Sequence, residues 1–188
     1  MVRPIRVDNS TLSTLQTCST KAVLRYGLHR TVPGTMAAAK VGQAIHSALE
    51  CFFKSYSQND AMKMLYNEYQ ELSLPDDLEP RLALGNIQVI MADWFATHGP
   101  DRWPFTYIKM ELPIDVQLSD KHGVTYTGRV DALVRAKESD TYYILDHKTT
   151  GNPSSHWAKQ FDLSSQLTGY IWAVQRLYPN LYIAGAFI

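Results

Sequence analysis

Two strand-like stretches each end in groups that can do chemistry: Thr127-Gly128-Arg129-Val130-Asp131 and Tyr143-Ile144-Leu145-Asp146-His147-Lys148. Side chains alternate across a strand with a period of two, so Asp146 and Lys148 share a face and His147 points to the other. A carboxylate and an ammonium closing an apolar run are expensive to bury unless they pair with each other or bind an ion. Fifteen positions separate Asp131 from Asp146, the span of two neighbouring strands and their turn, so both carboxylates can reach one cation. Hard divalent ions such as Mg²⁺ prefer such oxygens and keep several waters, while an imidazole ligand shifts the preference toward Mn²⁺. Lys148 beside such a site can orient a nucleophile, stabilise charge on a transferring phosphoryl group or give up its proton.

The elements that must position these groups follow from periodicity. A helix is expected from an N-cap at Asn9 or Ser10 through about Tyr26, ended by Gly27. Pro33 and Gly34 mark a loop. A second helix from about Met36 to Tyr56 carries Val41, Ile45, Leu49, Phe52 and Phe53 as one apolar stripe, with His46 beside it. Two more are expected at about Asp60 to Leu72 and Leu78 to Thr97, separated by Leu74-Pro75-Asp76-Asp77 and closed by Gly99-Pro100. After Pro104 the period becomes two, giving strands over Phe105 to Leu118, Val124 to Lys137 and Thr141 to Lys148, expected as an antiparallel meander. A helix from about Lys159 to Leu177 and a strand from Leu181 to Ile188 complete a mixed α/β (α+β) arrangement. The chain stops inside that last apolar stretch, as a piece of a longer protein would.

The chain has 188 residues, 45% of them hydrophobic, which suits one well-filled core and leads us to expect a single domain over residues 1–188. Within it, residues 1–100 form a mainly helical part containing His46, and residues 104–188 the sheet core. Net charge is zero, yet residues 1–54 carry seven Lys/Arg against two Asp/Glu and residues 55–120 four against eleven. Binding of nucleic acid by bulk charge alone is thereby disfavoured, while a local basic field remains possible. Cys18 and Cys51 form no metal-binding spacing, which points to a reducing, cytoplasmic setting without disulfides. No run reaches the roughly twenty apolar residues of a membrane span, and no phosphate loop of the GxxxxGK[ST] type is present.

Four pieces of this sequence resemble the PD-(D/E)XK nuclease superfamily, and within it the RecB-like exonuclease branch. They are Gly42-Gln43-Ala44-Ile45-His46-Ser47-Ala48-Leu49-Glu50, Gly128-Arg129-Val130-Asp131, Ile144-Leu145-Asp146-His147-Lys148-Thr149-Thr150 and Ser165-Gln166-Leu167-Thr168-Gly169-Tyr170, in that branch's order. The resemblance implies a restriction-endonuclease-like αβββαβ core around a mixed sheet. It implies a metal held by His46, Asp131, Asp146 and the backbone carbonyl of His147, with Lys148 as the catalytic ammonium. Gln166 and Tyr170, four apart on one helix face, would contact the substrate or brace Lys148. Glu111 resembles an acidic position that supports the site from behind. Some relatives hold an iron–sulfur cluster with one N-terminal and three C-terminal cysteines. Cys18 resembles the first, but the other three are absent from this sequence, so no cluster is expected.

Taken singly, each of these residues has a plainer reading. His46 would be an ordinary helix histidine, Asp146 and Lys148 an exposed ion pair, and Gln166 and Tyr170 partners on a half-buried helix. His156-Trp157, in a polar loop after Pro153, could stack on a nucleic acid. Together the pieces lead to the expectation of a Mg²⁺- or Mn²⁺-dependent DNA exonuclease. It would act in recombination, repair or phage DNA processing, with a recombination or helicase protein as a conceivable partner. A structure-selective or site-specific endonuclease with the same site is the alternative, and a non-catalytic DNA-binding module a further one.

Overall fold

The computed structural model of the chain describes residues 5–30, 37–151 and 153–188. In chain order these form β1 (Ile5–Val7), α1 (Asn9–Thr17), α2 (Ser19–Ala22), α3 (Ala37–Ser55), α4 (Gln58–Gln70), α5 (Leu84–Thr97), β2 (Phe105–Ser119), β3 (Val124–Ala136), β4 (Tyr142–Leu145), α6 (Ser155–Lys159), α7 (Ser165–Leu177) and β5 (Ile183–Phe187). They gather into two compact units. One holds the sheet with α1, α2, α6 and α7, and the other holds α3 to α5 together with residues 149–151.

The sheet unit is organised around β3. It pairs in parallel with β1 through Ile5↔Val124, Arg6↔Thr125 and Val7↔Tyr126, and antiparallel with β4 from Ala132↔Leu145 to Arg135↔Tyr142. β2 also pairs with β3, and β5 runs parallel to β4. The sheet is therefore mixed, and within it β2, β3 and β4 pair in sequence order, as the expected meander requires. Val7, Ile114, Tyr126, Val130, Leu133, Ile144, Tyr170, Val174 and Ile183 are all buried in one cluster, so α7 covers the core through its Tyr170–Val174 face. Ser164 caps α7 by accepting from the Leu167 amide at 3.4 Å, and Ser165 Oγ bonds Asn9 Oδ1 at 3.2 Å, tying α7 to α1.

In the helical unit the predicted stripe of α3 is buried at Val41, Ile45, Leu49, Phe52 and Phe53. It packs against Ala61, Leu65 and Tyr69 of α4 and Ile87, Met91 and Phe95 of α5, all buried in this unit. The rings of Phe52 and Phe95 stack with centroids 4.4 Å apart. Ser57 caps α4, accepting from the Asp60 amide, while the Tyr69 hydroxyl donates to the Leu82 carbonyl in the 3₁₀ turn that precedes α5.

Several boundaries differ from the sequence expectation. Asp8, not Asn9 or Ser10, caps α1, accepting from the Thr11 amide at 2.7 Å. The first helix breaks at Cys18, whose extended backbone (φ −161°, ψ 106°) lets its sulfur cap α2, and Val23–Gly27 then winds as a π-helix. The expected Lys159–Leu177 helix is instead one turn at α6, then α7 starting only at Ser165. His156 thus lies on α6, not in a loop. The strand expected to reach Lys148 ends at Leu145, because the next amides leave the β3–β4 ladder: Asp146 N–H bonds Phe187 O at 3.0 Å and His147 N–H bonds an Asp131 carboxylate oxygen at 2.7 Å. The expected loop at Pro33-Gly34 and the helix start at Met36 lie outside the described residues. None of the described helices is long and apolar enough to cross a membrane.

Candidate metal and phosphodiester site

Carrying the β3–β4 register one step beyond Ala132↔Leu145 sets Asp131 opposite Asp146. Side chains directly opposite in an antiparallel pair lie side by side, and like charges there repel. Asp146 is 2% exposed, and its carboxylate is in direct ion-pair contact with the Lys148 ammonium. Asp131 accepts the His147 amide, which holds its carboxylate against the segment that carries Asp146 and Lys148. One strand end and the following three residues thus bring Asp131, Asp146, His147 and Lys148 together.

A third carboxylate joins them from β2. Glu111 and Asp131 each offer an oxygen, and these oxygens lie within 4.8 Å of one another. Glu111 has φ +46° in the middle of a strand, a left-handed backbone that breaks the alternation of β2 and re-aims the side chain. Its carboxylate also pairs with Arg129 at 2.6 Å, an arginine side chain that is 66% exposed. Sequence periodicity undervalued Glu111, because a period of two cannot show a single residue turned out of register. Glu111 and Asp131 form a hard-oxygen donor pair that suits a divalent cation, while the buried Asp146 is not part of that close group of oxygens and is held by Lys148 instead.

On α7, Gln166 Nε2 donates to the Tyr170 hydroxyl at 3.1 Å, so the four-residue spacing does place amide and phenol together. Burial pushes the Tyr170 phenol up from its usual range, a rise opposed by the Gln166 hydrogen bond and reinforced by the negative charges of Asp146, Asp131 and Asp8. Tyr170 therefore keeps its proton across the neutral range and can donate it in a hydrogen bond. The Tyr126 hydroxyl is buried with no hydrogen-bond partner among the described residues. Burial first, then Tyr170 and Asp8, push its phenol up to about 12.

His46 lies on α3 in the helical unit, partly buried next to the Ile45–Leu49 stripe. One turn earlier, a β-carbon on Gly42 would meet Thr149 Oγ1 at 3.3 Å, so α3 sits close against the residue that follows Lys148 in the chain. Nearby, the guanidinium of Arg81 fills the space over Gly151, where a β-carbon would fall 1.7 Å from one of its nitrogens. The ring of Trp157 on α6 meets that of Phe161, in the turn that follows, edge to face with centroids 5.1 Å apart, and Cys18 and Cys51 are both free thiols.

No curated protein matches the chain significantly. The family model described as the PD-(D/E)XK nuclease superfamily matches residues 9–185, a span containing every piece of the constellation from His46 to Tyr170. The mixed sheet with its flanking helices is the restriction-endonuclease-like architecture of that group. The chain belongs to the PD-(D/E)XK nuclease superfamily, whose members are metal-dependent nucleases.

Proposed function

We propose that the chain is a DNA exonuclease of the RecB-like type that hydrolyses phosphodiester bonds with Mg²⁺ or Mn²⁺. The observation that supports it most is that the His147 amide donates to Asp131 while Lys148, the next residue, pairs with Asp146. In this reading residues 1–188 make one nuclease domain. Asp131, Asp146 and the His147 carbonyl hold the ion, Glu111 contributes beside Asp131, and His46 comes from α3. A divalent ion bound there supplies Lewis-acid activation of water and neutralises phosphoryl charge.

The protein's own groups do the rest. The Lys148 ammonium, held by Asp146, donates to the attacking water or to a non-bridging phosphate oxygen and stabilises the charge that develops there. The His147 amide fixes the Asp131 carboxylate in place. Gln166 and Tyr170, both with hydrogens to donate, contact the strand backbone next to the scissile phosphate.

End-labelled linear DNA, single- and double-stranded, and covalently closed circular DNA are incubated with Mg²⁺ or Mn²⁺. Mononucleotides or short products are expected from the linear substrates only, and cutting of the closed circle would assign an endonuclease instead. Lys148→Ala and Asp146→Ala are expected to lower cleavage by at least about a hundredfold. Wild-type rates in either variant would sink this assignment of roles.

A further inference from the structure

Two glycine contacts join β3 to α7, and each is made by a tyrosine of the opposite element. A β-carbon placed on Gly169 of α7 would lie 2.7 Å from the Tyr126 hydroxyl oxygen and 3.1 Å from its Cζ. A β-carbon on Gly128 of β3 would lie 3.2 Å from Tyr170 Cε1 and 3.7 Å from its hydroxyl. The contacts are reciprocal: Tyr126 and Gly128 are two apart on the strand, and Gly169 and Tyr170 are adjacent on the helix. A side chain at Gly169 would force the Tyr126 ring or α7 to shift, whereas at Gly128 the Tyr170 ring would have to give by only a few tenths of an ångström.

Tyr126 is not explained by filling the core. It is 3% exposed, and its hydroxyl has no hydrogen-bond partner among the described residues. A phenylalanine would fill the same space without burying an unsatisfied oxygen, which is a destabilising feature. What the oxygen does is touch Gly169, extending the ring to the surface of α7. Trp172, one turn further along α7, closes on the same ring edge to face, with centroids 6.4 Å apart. The helix is thus seated on Tyr126, and that seating sets where Tyr170, over Gly128, sits along β3. Gly128 is three residues before Asp131, and the charges of Asp131 and Asp146 already reach the Tyr170 phenol.

We propose that Tyr126 is a positioning residue of the nuclease centre: its ring, seated on Gly169, fixes α7 so that the Gln166–Tyr170 pair is presented to the Asp131–Asp146 site. The inference rests on the nuclease reading above and adds to it a residue outside all four motif roles. A displacement of about an ångström in a group that orients substrate can lower turnover by about a hundredfold while leaving the fold intact.

The test is a double-mutant cycle of Gly169→Ala and Tyr126→Phe. With Mn²⁺ and an oligonucleotide substrate, Gly169→Ala is expected to lower kcat at least about tenfold with KM held within about twofold. In the Tyr126→Phe background, which lacks the clashing oxygen, the same substitution is expected to lower kcat by less than about threefold. An equal loss in both backgrounds, or no loss in either, overturns the proposal. If Gly169→Ala does not fold, the double variant is expected to recover folded protein, and failure to recover it overturns the proposal as well. Tyr126→Leu approaches from the other side: it removes the seat without a clash, and wild-type kcat there also overturns it. Urea unfolding of the same four proteins reads the contact without turnover. A wild type that cleaves no DNA overturns the nuclease reading, whereas additive unfolding effects overturn the seating of α7 on Tyr126.

Discussion

Replacing Lys148 by Met separates the two jobs of its ammonium, balancing a buried charge and assisting the chemistry. Asp146 is 2% exposed, and its carboxylate is in contact with Lys148, whose side chain is 26% exposed. Removing the cation leaves a carboxylate that water barely reaches, the situation that costs about 3–5 kcal/mol when one partner of a buried pair is deleted. For a domain of this size that is roughly a 6–20 °C drop in Tm. The converse variant, Asp146→Asn, is milder, at about 1–3 kcal/mol, because the lysine left behind can extend its flexible stem into solvent. A further readout follows from the site. Mn²⁺ at about a hundredfold above its dissociation constant should add about 2.7 kcal/mol, and should bind Lys148→Met more tightly than wild type, because a competing positive charge has gone. Urea unfolding at pH 7, with chelator and with Mn²⁺, measures all of this without substrate. Lys148→Met unfolding within 1 kcal/mol of wild type in chelator would refute the buried-pair reasoning, and no effect of Mn²⁺ on either protein would refute the metal site.

Two other perturbations test the surrounding geometry. Tyr126 has a folded value of about 12 against 10.0 unfolded, so its contribution to stability is complete below pH 10 and is lost as pH rises toward 12. At 1.36 kcal/mol per unit that loss is about 2.7 kcal/mol, and Tyr126→Phe should abolish it, with alkaline urea titrations as the measure. Glu111→Gly should leave Tm unchanged or raised while cleavage falls. The variant relieves a left-handed backbone that costs on the order of 1–3 kcal/mol, against the loss of an ion pair to Arg129, whose side chain is 66% exposed. A Tm drop of several degrees would show that the backbone of Glu111 is not strained.

Which parts of this arrangement were legible in the sequence depended on the range of the contacts that make them. The α3 stripe, α4 and the body of α7 follow from apolar spacing alone, because a helix face is a local property. Asp131 and Asp146 could be brought together on paper because their strands are neighbours in sequence joined by a polar turn. β1 was missed for the opposite reason: Ile5 and Arg6 are exposed, only Val7 is buried, and the partner strand lies more than a hundred residues away. The helix break at Cys18 depends on one residue's dihedral angles, which no periodicity records.

The same distinction explains the site. The motif residues announced themselves because each is chemically costly where it stands, and a buried Asp beside a Lys calls for a partner before any fold is known. Tyr126 and Gly169 carry no such cost in sequence, since a tyrosine in a strand and a glycine in a helix are individually ordinary. Their meaning is the empty volume at Gly169 that a tyrosine forty-three positions earlier occupies. Glu111 falls between the two cases. Its charge was visible, but its place beside Asp131 goes with the pairing of β2 to β3 and with a positive φ, neither of which a local sequence pattern records. Chemistry is therefore readable one residue at a time, whereas the positioning that makes it effective resides in pairs, one member of which is conspicuous only for the side chain it lacks.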